Sequence, residues 1–201
     1  MQLDSISRSR RSRSREYLTP NEIDQLLKAA RNGATRNPER DYCIVLMLYH
    51  HGLRVSELCN MLLSDVDLTA GTLYVRHQKS GGKGSPTHPS VHPIYKADMA
   101  ALRAWLKIRR GMEAKSEHLF ISEQREGFTR AAINLLVTKI AKAALLDHLA
   151  IHPHSFRHAA GYGLINKGVD VRIVQSFLGH KRLDTTARYT ELAPGRLKNL
   201  F

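Results

Sequence analysis

The 201-residue chain is short of acidic side chains, of cysteine and of long apolar runs, and each shortage bears on function. Eighteen Asp and Glu stand against 31 Lys and Arg, which leaves a net charge of +13 and a pI near 10.1. That balance speaks for a polyanionic partner, be it DNA, RNA or an acidic membrane surface, without choosing among them. The longest uninterrupted apolar run, Cys43 to Tyr49, is far too short to cross a bilayer. The N-terminus is polar and rich in arginine, with no apolar segment of the kind a secretory signal needs. The two cysteines, Cys43 and Cys59, lack CxxC spacing and lie in apolar helical contexts. They read as buried thiols of a reducing cytoplasm rather than as a disulfide or metal ligands. Neither a Walker loop nor an HExxH pair occurs, and carboxylates do not cluster as a metal hydrolase requires.

What is present is mainly helical punctuation. Thr19-Pro20-Asn21-Glu22 reads as a capping box with proline at the first helical position, followed by Ile23, Leu26, Leu27 and Ala30 at helical spacing. A second helix starts after Asn37-Pro38, shows Tyr42, Val45, Leu46 and Tyr49 as its apolar stripe, and closes at Gly52. Arg54 then sits at the head of a short helix, Val55 to Asn60, with Glu57 one turn on and within reach to orient it. After Ser64-Asp65 the period changes. Leu68 and Thr72–Arg76 predict two short strands joined by Thr69-Ala70-Gly71, and the proline-rich run Pro86 to Pro93 permits only an edge strand. Between them lies a glycine-rich loop with Lys79 and Lys83.

Further helices are predicted over Ala97–Arg110, with Met99, Leu102, Trp105, Leu106 and Ile108 inward, and from a Thr129 cap to about Leu146. Two more follow, from Pro153 to Lys167 and, under an Asp170 cap, from Val171 to Phe177, with Ile173, Val174 and Phe177 inward. A last helix over about Thr185–Glu191 carries Tyr189. The pattern has no internal repeat. It predicts an α+β fold, mainly α with a small three-stranded antiparallel sheet. Its domain plan is a disordered Arg/Ser-rich tail over 1–17, one domain over 18–192 and a C-terminal tail over 193–201.

The stretch from Ile151 to Thr190 concentrates chemistry-bearing residues. His154 and Arg157 are three apart at a helix start and share a face. Leu178-Gly179-His180 ends the next helix at a glycine, and Tyr189-Thr190 follows. His154 and His158 are spaced i,i+4, as zinc ligands can be, but no glutamate stands between them as in HExxH and Arg157 adjoins His158. Taken with Gly52-Leu53-Arg54-Val55-Ser56-Glu57-Leu58, the HxxR, LGH and Tyr-Thr patterns resemble the tyrosine recombinases of the integrase family. Within that family the likeness is to short invertases that switch fimbrial promoters in enteric bacteria.

The resemblance covers about Leu18 to Thr190, a tyrosine recombinase catalytic domain. Helical patterning leads from Thr19 almost at once to the Arg54 box, so the expectation is that no additional N-terminal DNA-clamping domain fits. It implies DNA strand cleavage and rejoining through a 3′-phosphotyrosyl intermediate with no cofactor, metal or ATP. Attack on a phosphodiester builds negative charge on its oxygens, which calls for cations in fixed directions, a nucleophile and an acid for the leaving oxygen. Arg54 and Arg157 suit the clamp, because each fork can donate two hydrogen bonds to phosphate. His180 adds a donor, Tyr189 is the nucleophile, and His154 takes its proton or positions the phosphate. In such enzymes the leaving-group acid is a lysine from a hairpin loop. Lys79 matches that position better than Lys83. Tentative DNA-backbone contacts are Arg8, Arg10, Arg11, Arg13 and Arg15 of the tail, with Lys83 and Arg130.

The implied partners are double-stranded DNA with inverted-repeat sites, three further copies at synapsis to make a homotetramer, and DNA-bending accessory proteins. The competing readings are a type IB topoisomerase, which uses similar side chains to relax DNA, and a DNA-binding regulator that has kept the fold without cutting.

Overall fold

A helix with no solvent-facing stripe stands at the centre of the molecule. In the computed structural model, which describes residues 17–77, 89–180 and 182–191, α2 (Pro38–His50) is sealed at every position from Cys43 to Leu48. It packs against α1 (Pro20–Arg31), α3 (Val55–Cys59), α4 (Lys96–Gly111) and α6 (Pro153–Asn166). The expected stripe of Tyr42, Val45, Leu46 and Tyr49 is therefore too narrow. Tyr42 and Tyr49 are only half-buried, while Cys43, Ile44, Met47 and Leu48 are fully enclosed, as befits a helix surrounded on all sides. The two cysteines are free and buried.

Local signals set the element ends. Thr19 accepts from the backbone N–H of Glu22, whose carboxylate accepts in return from Thr19 N at 2.7 Å. Thr129 caps α5 (Arg130–Ala143) by accepting from Ala132 N, and Asp170 caps α7 (Val171–Leu178) by accepting from Arg172 N. The sheet is antiparallel in the order β1 (Val66–Asp67), β2 (Thr72–Val75), β3 (Ser90–Pro93). Leu68 falls just outside β1. Asp67 turns the chain there by accepting from the N–H groups of Thr69 and Ala70 at 2.9 and 2.8 Å. On β2, Leu73 and Val75 point inward and Tyr74 outward, and Leu73 pairs with the buried His92 of the edge strand β3.

Two inward assignments fail on α4 and α7. Ile108 and Ile173 are 37% and 62% exposed, while the neighbouring Arg109 is buried and donates to the carbonyls of Ser116 and His118. Trp105 is core as expected, its indole N–H donating to Leu119 O at 2.8 Å. Tyr17, the last residue assigned to the tail, stacks on Tyr162 with ring centroids 3.9 Å apart. Residues 1–16, 78–88, Lys181 and 192–201 lie outside the described residues, and with them Arg8, Arg10, Arg11, Arg13, Arg15, Lys79 and Lys83.

Apolar packing falls into two clusters. The large one joins α1–α5, β2, the Leu119–Ile121 segment and the first half of α6 through Phe156 and Ala159. The small one is built from Ile165, Val174, Leu178 and Tyr189, and thus from the second half of α6, α7 and α8 (Asp184–Glu191). α6 belongs to both, so its middle lies where they meet.

At the head of α4 the fully buried Asp98 carboxylate accepts from His50 Nδ1 at 2.6 Å and from Tyr95 N at 3.1 Å. His51 Nε2 lies 3.3 Å away without hydrogen-bond alignment. Burial works against the charge, but the His50 hydrogen bond and the positive charge of His50 and His51 outweigh it and hold the carboxyl at about 2. A depressed folded pKa adds stability that is present above the ordinary aspartate value and is lost as pH falls through it. Asp98→Asn is expected to lower the unfolding free energy by about 2 kcal/mol at pH 7. The difference from the native chain should shrink between pH 4 and 2 in urea titrations.

Candidate active site

Gly52 and Gly179 let three pieces of backbone approach one another. Gly52 follows α2 at φ +57, and a Cβ there would lie 2.5 Å from Leu178 Cδ2. Gly179 caps α7 at φ +61, and a Cβ there would lie 2.5 Å from the His77 ring. Left-handed backbone plus absent space makes glycine the residue that fits both positions. Two residues past Gly52 the chain places Arg54 at the N-cap of α3. Its backbone N–H and NH1 both donate to Glu57, at 2.8 and 2.6 Å, and NH2 donates to Gly179 O at 3.0 Å.

Glu57 is buried, which alone would raise its carboxyl. The hydrogen bond from His77 at 3.0 Å and the Arg54 contacts outweigh that and bring it to about 2. His77 in turn meets Ser90 Oγ at 2.7 Å, which meets His92 Nε2 at 2.9 Å. A polar line therefore runs from the arginine to the edge strand.

α6 supplies the second arginine. Proline at its first position starts the helix, and the i,i+3 spacing puts His154 and Arg157 on one face. Arg157 is 1% exposed; NH1 donates to Gly52 O at 2.6 Å, NH2 donates to Leu178 O, and Glu57 Oε2 lies 3.9 Å from NH1. Burial, with Arg54 close by, lowers its pKa to about 10, so it stays charged at neutral pH. His154 is pushed down to about 4 by burial and by the charges of His158, Arg157, His152 and Arg54.

His180 follows the Gly179 cap. Its Nδ1 meets the buried Thr186 hydroxyl at 2.8 Å, and its carbonyl accepts from Gln175 at 3.1 Å. Burial, then the cations Arg157 and Arg54, bring it to about 3. Tyr189 is 4% exposed. Its ring lies nearly parallel to His180, centroids 6.2 Å apart, and edge-on to His158 at 5.9 Å. Its hydroxyl is 3.3 Å from His158 Nδ1. The ring rests on α6 where that helix has no side chain, since a Cβ on Gly161 would come within 2.6 Å of it.

Five polar groups from distant segments thus share one small volume: two cations, two histidines kept neutral and a phenol. The arrangement can hold an anion against Arg54 and Arg157 beside a nucleophilic oxygen. The phage integrase family model matches residues 16–196. The chain belongs to the phage integrase family. By that membership it is a tyrosine site-specific recombinase. The type 1 fimbriae regulatory protein FimB of Escherichia coli (strain K12) is 35% identical over 191 residues, covering 94% of this chain and 91% of that one. Tyrosine recombinase XerA of Thermococcus kodakarensis is 36% identical over 181 residues, 90% of this chain and 60% of that one. The crystal structure of XerA recombinase superposes with a TM-score of 0.77 at 30% identity, over 92% of this chain and 63% of that one.

In this integrase-family site, Arg54, His154, Arg157, His180 and Tyr189 of the sequence-based set come together. Arg130 is exposed at the first position of α5 and takes part in none of the contacts just described. Lys79 and Lys83 lie outside the described residues. The sequence reading passed over His77, His158 and Thr186. His158 was weighed only as a zinc ligand, although its place one turn after His154 puts it on the same face. No local signal marks His77 or Thr186, whose partners come from packing at a distance.

The bare surface under the tyrosine ring yields opposite expectations for two glycines of α6. Gly161→Ala should be destabilising, because its methyl group meets the Tyr189 ring. Gly163→Ala meets nothing within 4 Å and should stabilise by up to about 1 kcal/mol through helix propensity. Unfolding free energies of the two variants, measured side by side, should move in opposite directions.

Proposed function

We propose that this recombinase cuts and rejoins double-stranded DNA through a 3′-phosphotyrosyl intermediate formed by Tyr189. Arg54 and Arg157 clamp the scissile phosphate, His180 donates a further hydrogen bond, and His154 either takes the proton of Tyr189 or positions the same phosphate. The phenol oxygen of Tyr189 bonds to phosphorus as the bond to the 5′ oxygen breaks, and Lys79 protonates that oxygen. A 5′ hydroxyl from a partner strand then reverses the step, so the bond energy is conserved and no metal or ATP enters.

What carries the reading is the placement of Tyr189 beside His180, on the same helix face as Arg157, which with Arg54 is anchored to the Gly52–Gly179 crossing. The free site holds an excess of fixed positive charge over its single carboxylate, Glu57, and a phosphodiester supplies the missing negative charge. Residues 18–192 form the catalytic domain in this reading.

DNA with inverted-repeat sites is the substrate that the family and the +13 charge favour. Likeness along nearly the whole chain to a fimbriae regulatory protein favours inversion of a promoter segment as the outcome, hence phase variation. Synapsis of two such sites brings four copies together, with DNA-bending proteins as helpers in the bacterial nucleoid. The arginines of the tail, Arg8, Arg10, Arg11, Arg13 and Arg15, with Lys83 and Arg130, add backbone contacts that strengthen binding without reading sequence.

On a nicked suicide substrate the native chain should become covalently attached to DNA and Tyr189→Phe should not; equal trapping by the variant would remove Tyr189 from the mechanism. Lys79→Ala should slow cleavage by about a hundred-fold or more, and a 5′-phosphorothiolate, whose sulfur leaves without a proton, should restore it. Rescue of Lys83→Ala alone would transfer the acid role to Lys83.

A further inference from the structure

The Tyr189 hydroxyl lies against a histidine to which the chemistry above gives no task. Its oxygen is 3.3 Å from His158 Nδ1, and the two rings meet edge to face at 67°. At 4% exposure the tyrosine has little contact with bulk water. A phenol with a reference pKa near 10 is a weak nucleophile at pH 7 unless a base within hydrogen-bond reach takes its proton as it attacks.

Among the described residues, α6 and α7 pack against α8: α6 brings His154, Arg157 and His158, and His180 follows α7. Arg54, the N-cap of α3, and Glu57 adjoin Arg157. The arginines hold their protons. Glu57 is taken by Arg54 and His77, and His180 Nδ1 by Thr186. His154 lies one turn before His158, its ring 4.5 Å from the latter's centroid.

We propose that His158 is a catalytic residue: its Nδ1 takes the hydroxyl proton of Tyr189 as the phenol oxygen bonds to phosphorus, and His154 is left to hold the phosphate. This rests on the recombinase reading. The O–H bond breaks and an N–H bond forms on His158; the Tyr189 oxygen–phosphorus bond forms as the phosphorus–5′-oxygen bond breaks; Lys79 protonates the departing oxygen. In the return step His158 gives its proton back to the phenol oxygen. Acceptance at Nδ1 requires the neutral ring to carry its proton on Nε2. A bound phosphate offsets the positive charge of the guanidiniums, so the transfer belongs to the DNA-bound state.

The test is single-turnover cleavage of a nicked suicide substrate by the full chain from pH 6 to 10, for the native protein, His158→Asn and His158→Ala. Asparagine keeps a hydrogen-bonding atom where Nδ1 stood but holds no proton there. Both variants should bind DNA as the native chain does and cut it about 100-fold more slowly at pH 7. Their rates should climb with pH until the gap narrows near pH 10, and a 5′-phosphorothiolate should rescue neither. His158→Asn at the native rate and pH profile overturns proton transfer in favour of mere orientation, and native rates for both variants remove His158 altogether. A native chain that forms no covalent complex overturns the recombinase reading and this step with it.

Discussion

The guanidinium of Arg157 holds the two halves of the site together. It is sealed from water, and an isolated buried charge would be too costly to keep. Its hydrogen bonds to Gly52 O and Leu178 O, with Glu57 near, make the position tenable. Those carbonyls end α2 and α7, one in each apolar cluster, so one side chain fixes the separation of the two helix ends. Arg54 depends on the same crossing, because NH2 reaches Gly179 O. The glycines at 52 and 179 follow from that constraint, since neither position has room for a Cβ.

From this anchoring comes the site's electrical character. Charge resides on the arginines and is balanced only by Glu57, held at about 2. His154 and His180, at about 4 and 3, stay neutral through the physiological range because burial and the two guanidiniums both disfavour a further cation. Neutral imidazoles can both donate and accept a hydrogen bond, as the proposed transfer of a phosphate and its reversal require. In the proposed reaction a phosphodiester's single negative charge offsets the excess positive charge, so the histidines become better bases when there is something to act on.

Local chemistry was legible in the sequence and distant chemistry was not. The caps at Thr19, Thr129 and Asp170 are decided within four residues of chain, and each functions as its residue type predicts. Arg54, His154, Arg157, His180 and Tyr189 were readable because their spacing along helices and at a glycine cap is itself a sequence pattern. The stripe on α2 was drawn too narrow because periodicity records a face turned to water, and α2 has none along Cys43–Leu48. At Ile108 hydropathy pointed inward, yet α4 turns Arg109 to carbonyls of the following loop instead, and on α7 nothing in the structure explains why Ile173 stays exposed. His77 acquires its meaning only when the end of β2 docks on Glu57, and His158 only when α8 lies across α6.

That last docking decides how firmly Tyr189 is held. Among the described residues, the cluster that contains Tyr189 has three other fully buried apolar residues, Ile165, Val174 and Leu178, against the extended core around α2. A small cluster opens at lower cost than a large one. The apolar body of the tyrosine is therefore structural: its ring closes the cluster over Gly161 while its oxygen faces His158. Packing and chemistry share one side chain, and α6 is the reason they agree. The helix that carries Arg157 also supplies the bare surface on which the ring rests, so any shift of that surface moves Tyr189 and Arg157 together.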